Sequence, residues 1–323
     1  MKLFQKYAAE FLGTFILVGV GTGTVISVGV TQGDVVLPVA LGFGLALMVA
    51  LYMLGGKSGG HFNPAVSLAA FLDKRIGLTD MAGYWVMQVA GAVSASALLA
   101  WIYNREFVAY TYTTLNRQAG VNEMAGFFAE AVLTLVFVFA ILVLARSEAH
   151  TRYIGMGIAL AVVHLVGLVM TGSGVNPARS FAPALVGGTW DGFWVFVAGP
   201  ALGAIVAWAL YKIIIEGDLK LGDDLAEVRE AVVEEAEEVF SARRSVVGGG
   251  PPGPPPSHGS GRGRGRASAE YGSGRGQGEG FRWVRQWGGP GAGFRCDGGG
   301  RGPGEGGCRR HFPSARRPRG PGV

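Results

Sequence analysis

Gly59-Gly60-His61-Phe62-Asn63-Pro64-Ala65-Val66 and Gly172-Ser173-Gly174-Val175-Asn176-Pro177-Ala178-Arg179 share an Asn-Pro-Ala core, and the two copies lie 113 residues apart. An Asn whose side chain can accept from the free N–H groups of a first helical turn, followed by a Pro that fits that turn, marks a helix start. Each start opens only a short apolar stretch, residues 64–72 and 177–186. At 1.5 Å per residue, neither can cross a hydrocarbon core of about 30 Å. The stretches around them can.

Hydrophobic residues make up 49% of the chain and mean hydropathy is +0.33, although residues 247–323 are dominated by Gly, Pro and Arg. The remainder is therefore far more apolar than the average. Six spans of about 20 residues, the length a bilayer core requires, are predicted at residues 7–28, 36–54, 81–103, 124–145, 153–171 and 192–214. A large water-soluble core would need charged helix faces that these spans lack. Lys2, Lys6, Lys57, Lys74, Arg75, Arg146, Arg152 and Lys212 fall on one side if the spans alternate, and Arg105 and Arg117 on the other. The excess of Lys and Arg marks the cytoplasmic side, so both termini are expected there. The first span carries Glu10 and does not have the layout of a cleaved signal peptide. The two cysteines, Cys296 and Cys308, lie near the end of the chain, so neither a disulfide framework nor a cysteine metal site is expected in the body.

The body repeats itself. Ala9-Glu10 with Thr14 returns as Ala129-Glu130 with Thr134, and Gly42-Phe43-Gly44-Leu45-Ala46-Leu47 returns as Gly155-Met156-Gly157-Ile158-Ala159-Leu160. Three spans per repeat is an odd number, so the second repeat enters the bilayer from the opposite face, a pattern found in transport proteins. Inversion sends one short helix in from each face, with their N-termini meeting near the midplane. Backbone that is not helical at that depth must be covered by protein or line a wet cavity. The approach segments, His61 among them, are thus candidates for a pore lining. Glu10 and Glu130 are carboxylates inside spans, where a charge normally faces the bundle interior with a partner. Bracing the N–H groups of the two re-entrant loops is the role their repeated positions suggest.

The paired motifs, a Glu at the start of spans one and four, and His164 twelve residues before Asn176 resemble the aquaporin (major intrinsic protein) family over residues 4–215. The resemblance implies an all-α membrane protein of six transmembrane helices plus two re-entrant half-helices. It also implies a homotetramer in the cell membrane whose protomers each pass water or small neutral solutes passively, with no cofactor, no metal and no catalysis. Asn63 and Asn176 would stand at the pore centre, and Phe43, His164, Ser173 and Arg179 would form the selectivity filter. His, Phe and Arg together leave a narrow polar opening and favour the water-selective branch. So do Ser180 and Ala184, where glycerol-conducting relatives tend to carry Asp and Lys. A glycerol-conducting channel is the alternative reading.

A channel domain over residues 1–216 is expected, with repeats at 4–103 and 124–215. Residues 217–246 are acidic, with Leu221, Leu225, Val228, Val232 and Val239 at helical spacing. They read as an amphipathic cytoplasmic helix with a solvated polar face. Residues 247–323 carry 13 Arg against 4 acids and no apolar periodicity, the composition of a disordered tail. A nucleic-acid partner is not expected to be the function of the chain. An inverted-repeat transporter would share the symmetry but should place coupling carboxylates beside the broken helices, where only the two bracing Glu residues stand. No nucleophile, base and orienter come together to suggest an enzyme.

Overall fold

A computed structural model describes residues 2–31, 34–217 and 221–247. The tail read over 247–323 lies outside the described residues except for the helix end at Val247. Among the described residues ten α-helices run in the order α1 (Lys2–Thr31), α2 (Val36–Ser58), α3 (Pro64–Leu72), α4 (Leu78–Ile102), α5 (Arg105–Ala109), α6 (Glu123–Leu144), α7 (Arg152–Thr171), α8 (Pro177–Gly187), α9 (Val195–Leu210) and α10 (Leu221–Val247). A π-helical turn, Tyr211–Glu216, extends α9. Among the described residues there is no strand. Helices α1, α2, α4, α6, α7 and α9 are long and apolar enough to span a bilayer, while α3 and α8 are the two half-helices. The protein is an all-α membrane protein.

Glycines turn the chain from spanning helix to re-entrant loop. Gly59 ends α2 at φ 93° and Gly172 ends α7 at φ 77°, and they occupy equivalent places in the two repeats. A left-handed residue just past a helix closes the last carbonyls without the clash a side chain would bring. The loops that follow also hold Phe62 (φ 50°), Ser173 (φ 49°) and Val175 (φ 42°) in the left-handed region. Residues of these types occupy it only where surrounding bonds over-determine the backbone.

Packing follows the repeat. α1 lies against α4 as α6 lies against α9, and α2 crosses α7 between the halves. A Cβ on Gly91 would collide with the carbonyl oxygen of Phe11, and one on Gly203 with that of Ala131. The same relation holds across the centre, where a Cβ on Gly44 would stand 2.6 Å from Gly157 O and one on Gly157 would stand 2.6 Å from Gly44 O. Small residues here serve close contacts within the chain, as do Gly83 against Tyr7 and Gly199 against Glu130. Overpacking of this kind typically destabilises by about 1–3 kcal/mol. Gly44→Val and Gly157→Val are each expected to lower the melting temperature in detergent, whereas Gly56→Ala, where a Cβ meets nothing within 4 Å, should leave it in place.

The face bearing Lys57, Lys74, Arg75, Arg146, Arg152 and Lys212 is called the basic face below, and the one bearing Arg105 and Arg117 the far face. On the basic face α10 does more than present a solvated side. Glu235 accepts from the backbone N–H groups of Leu78 (3.0 Å) and Thr79 (2.7 Å) and from the Thr79 hydroxyl, capping the N-terminus of α4. Asp224 and Glu227 pair with Lys74, and Asp224 also faces Lys212. Leu225, Val233 and Phe240 remain exposed. The expected solvated polar face is thus a docking face, because the unpaired N–H groups and positive end of α4 attract a carboxylate.

The Thr79 hydroxyl, followed by the Thr79 and Leu78 amides, holds the Glu235 carboxyl below the usual carboxylate range. A depressed folded-state pKa adds stability above the unfolded value and loses it as pH falls through the folded value. Limited proteolysis of α10 should therefore be slow at pH 7 and accelerate only below the usual carboxylate range. Glu235→Gln should be cleaved fast at both pH values.

Candidate functional site

The half-helices α3 and α8 meet tip to tip in the interior, each capped by its own Asn. Asn63 Oδ1 accepts from Ala65 N at 2.8 Å, while Asn176 Oδ1 accepts from Ala178 N at 3.0 Å and Arg179 N at 3.3 Å. With the oxygens committed, the two NH2 groups turn outward and cross over. Asn63 Nδ2 donates to Val175 O and Asn176 Nδ2 donates to Phe62 O, both at 2.9 Å. Each amide keeps one N–H free of these bonds. The repeats are thereby joined at their centre by a reciprocal pair of hydrogen bonds.

Each loop that supplies a carbonyl is held from behind by a buried carboxylate. Glu10 on α1 accepts from His61 N (3.0 Å), Ser58 Oγ (2.6 Å), Phe62 N (2.7 Å) and Gln88 Nε2 (2.8 Å). Glu130 on α6 accepts from Gly174 N (2.8 Å), Val175 N (2.7 Å) and Thr171 Oγ1 (2.5 Å). These bonds secure the left-handed residues. Gln88 continues the first network to Ser67 Oγ (2.9 Å), which reaches His61 Nδ1 (3.0 Å).

Three cavities lie in file along this axis. One of about 820 Å3 opens toward the far face and reaches Arg179, and one of about 260 Å3 opens toward the basic face and reaches His61. Between them is a segment of only about 10 Å3, bounded by both of those residues and by both asparagines. That is about the occupied volume one water needs. Phe43, His164 and Arg179 crowd it: the Phe43 and His164 rings stack at 4.6 Å, and the guanidinium carbon of Arg179 lies 4.9 Å from the Phe43 centroid. Arg179 is oriented by Thr111 O at 3.1 Å, and His164 Nδ1 by Leu160 O at 2.9 Å. Among the described residues His164 Nε2 and Arg179 Nε have no hydrogen-bond partner, and both residues border the narrow segment.

Ser173 is placed differently from its three companions. It does not line the narrow segment. Its hydroxyl donates to Val163 O at 3.3 Å, because the left-handed backbone at this residue turns the side chain toward α7. The Cβ-free backbone of Gly174, held by Glu130, borders the passage instead.

The narrow segment is also bordered by residues the motifs do not mark, Leu17, Leu47, Phe137 and Leu160. These are repeat mates. Leu17 and Phe137 share the register that relates Glu10 to Glu130, and Leu47 and Leu160 the register that relates Asn63 to Asn176. The same registers also pair apolar core residues such as Val18 and Val138, so register alone does not mark a wall.

A polar tip-to-tip junction inside an inverted repeat invites comparison with known proteins. The family model described as Major intrinsic protein matches residues 1–211. The chain belongs to the major intrinsic protein family. It is a channel protein by family and an integral membrane protein by family and by its six apolar helices. It is 39% identical over 208 residues to glycerol uptake facilitator protein-like 6 of Lactiplantibacillus plantarum, covering 63% of this chain and 94% of that relative. It is 37% identical over 229 residues to aquaporin Z of Brucella melitensis, covering 67% of this chain and 100% of that relative. In fold it is similar to the aquaglyceroporin from Plasmodium falciparum, with a TM-score of 0.59, 24% identity, and coverage of 66% of this chain and 96% of that one. Relatives named for water and for glycerol thus both match this channel.

Proposed function

We propose that this channel passes single-file water and excludes glycerol, protons and ions. The observation that carries this reading is the segment of about 10 Å3 between two wide vestibules. A glycerol molecule has no room there unless Phe43, His164 or Arg179 moves. Leu17, Leu47, Phe137 and Leu160 line it together with only a few donors, so water passes without being held.

In this reading Asn63 and Asn176 act on the orientation of water. Each presents its remaining N–H at the junction, so a passing water turns its oxygen toward the pair and its own hydrogens outward. The chain of donors along which a proton could hop is then interrupted. The N-termini of α3 and α8 each present about +0.5 charge. At about 5 Å and an effective dielectric near 20, that opposes a cation by roughly 1.5–2 kcal/mol per helix end. Stripping the hydration shell of an ion in a narrow apolar tube adds several kcal/mol, so desolvation is the larger barrier.

The filter reading assigns Phe43, His164 and Arg179 to steric and polar selection, with Ser173 setting the local backbone. The basic face is assigned to the cytoplasm, with both termini on that side, following the Lys and Arg excess. A homotetramer in the cell membrane is the assembly the family suggests. A glycerol-conducting channel is the second reading, favoured by the 39% identity to a relative named as a glycerol uptake facilitator-like protein. Light scattering from proteoliposomes under osmotic shock separates the two. With an impermeant osmolyte, fast shrinkage is expected; with glycerol, shrinkage without reswelling. Rapid reswelling in glycerol would overturn the water-selective reading.

A further inference from the structure

Phe43 borders the narrow segment, and its ring is held between neighbours on other helices. On one side the ring meets His164 at 4.6 Å and Arg179 at 4.9 Å. On the other it lies flat against the backbone of α1 at Gly21. A Cβ built on Gly21 would stand 2.7 Å from Phe43 Cγ and still closer to Cδ1 and Cε1. Real Cβ contacts of that length essentially do not occur, so any side chain at position 21 must displace the ring or the helix.

The helix is held on its far side by α4, where a Cβ on Gly91 would collide with Phe11 O. A single aromatic ring shifts more easily than a spanning helix, and a shift away from α1 carries the Phe43 ring toward His164 and Arg179. We propose that Gly21, which does not touch the passage, is a positioning residue that sets the aperture of the channel by letting the Phe43 ring recess into α1. The proposal rests on the reading of the narrow segment as the conducting path.

The inverted repeat supplies an internal comparison. In repeat two, Ile141 stands at the place of Gly21 and Met156 at the place of Phe43. There the bulky residue is on the first helix of the repeat and the unbranched, flexible side chain on the second. Both border the basic-face cavity of about 260 Å3 rather than a constriction. A second exchange of the same kind occurs one stage deeper. A Cβ on Gly13 would collide with the Phe62 ring, and the corresponding residues are Leu133 and Val175. In both cases bulk is traded between the first helix of the repeat and the element it faces, α2 at Phe43 and the re-entrant loop at Phe62. Only the glycine side of the trade allows a flat aromatic ring beside the passage.

The test uses the full chain in proteoliposomes at matched protein density, with Gly21→Ala, Phe43→Leu, the double variant, and Gly19→Ala and Gly23→Ala as controls. Cβ atoms at the control positions meet their nearest neighbours at an ordinary 3.6 Å. Gly21→Ala is expected to lower water permeability at least tenfold. Adding Phe43→Leu should return it to within about threefold of Phe43→Leu alone, and the controls should match wild type. Unchanged flux in Gly21→Ala would overturn the proposal, since α1 would then have absorbed the methyl group. So would a loss that Phe43→Leu does not restore, or an equal loss in the controls, because both point to a general effect on folding. A wild-type protein that passes glycerol but little water would instead overturn the water-selective reading. Gly21 is then read from glycerol flux in the same variants, with the same pattern expected.

Discussion

Glu130→Gln is expected to remove nearly all water flux per molecule, and Glu130→Ala to leave little folded protein to reconstitute. Three donors converge on this carboxylate in a fully buried site, the amides of Gly174 and Val175 and the hydroxyl of Thr171. A buried donor left without an acceptor costs about 1–3 kcal/mol, so losing all three approaches the whole stability of a typical domain. Gln has nearly the same shape but only one acceptor oxygen. If that oxygen serves Gly174 and Thr171, the NH2 group meets the N–H of Val175, donor against donor. The strained backbone of Ser173 and Val175 then loses its restraint, and with it the carbonyl that receives Asn63. Osmotic shrinkage and gel filtration in detergent, measured together, separate lost folding from lost conduction. A Gln variant with wild-type flux would show that the loop holds itself.

His164→Gly is expected to admit glycerol while keeping water flux at or above the wild-type level. The imidazole is one wall of the segment of about 10 Å3, and it also holds the Phe43 ring by stacking at 4.6 Å. Its removal widens the opening and frees a neighbour. Discrimination by fit in a pocket is typically worth about 1–3 kcal/mol, or roughly 10–200-fold, so glycerol reswelling should accelerate by at least tenfold. Glycine inside α7 also weakens the helix by about 1 kcal/mol relative to Ala. His164→Ala should therefore give the same change in selectivity with better stability. If glycerol stays excluded in both variants, the barrier lies elsewhere in the passage.

What could be read from the sequence follows the range over which each interaction is encoded. The half-helices were legible because a cap, a proline and a glycine turn are written within a few residues of one another. The same holds for the six spans, whose limits the structure shifts by a few residues. His164 and Arg179 were reached through the resemblance to the family, on their spacing from Asn176. Leu17, Leu47, Phe137 and Leu160 did not stand out, since an apolar wall and an apolar core look alike along a chain. The partner of Arg179 is a backbone carbonyl at Thr111, and a carbonyl has no signature in the sequence. Gln88 was also hidden, as Pro200 stands in its place in the second repeat when Gly91 is matched to Gly203. Glu235 lies between Val232 and Val239 in the apolar spacing of α10 and has no motif to mark it. Its role depends on helix α4, more than 150 residues earlier in the chain.

The crossed bonds between Asn63 and Val175 and between Asn176 and Phe62 have a consequence for how fast such a protein can work. A carrier exposes its cargo to one side and then the other by tilting one half against its partner, and its turnover is limited by that tilt. Here a tilt would break both side-chain hydrogen bonds at once and disturb the close backbone contact between Gly44 and Gly157. The halves are fastened as one wall. Passage therefore requires no rearrangement of the protein, and the rate is left to diffusion and to the making and breaking of hydrogen bonds by the molecule that crosses.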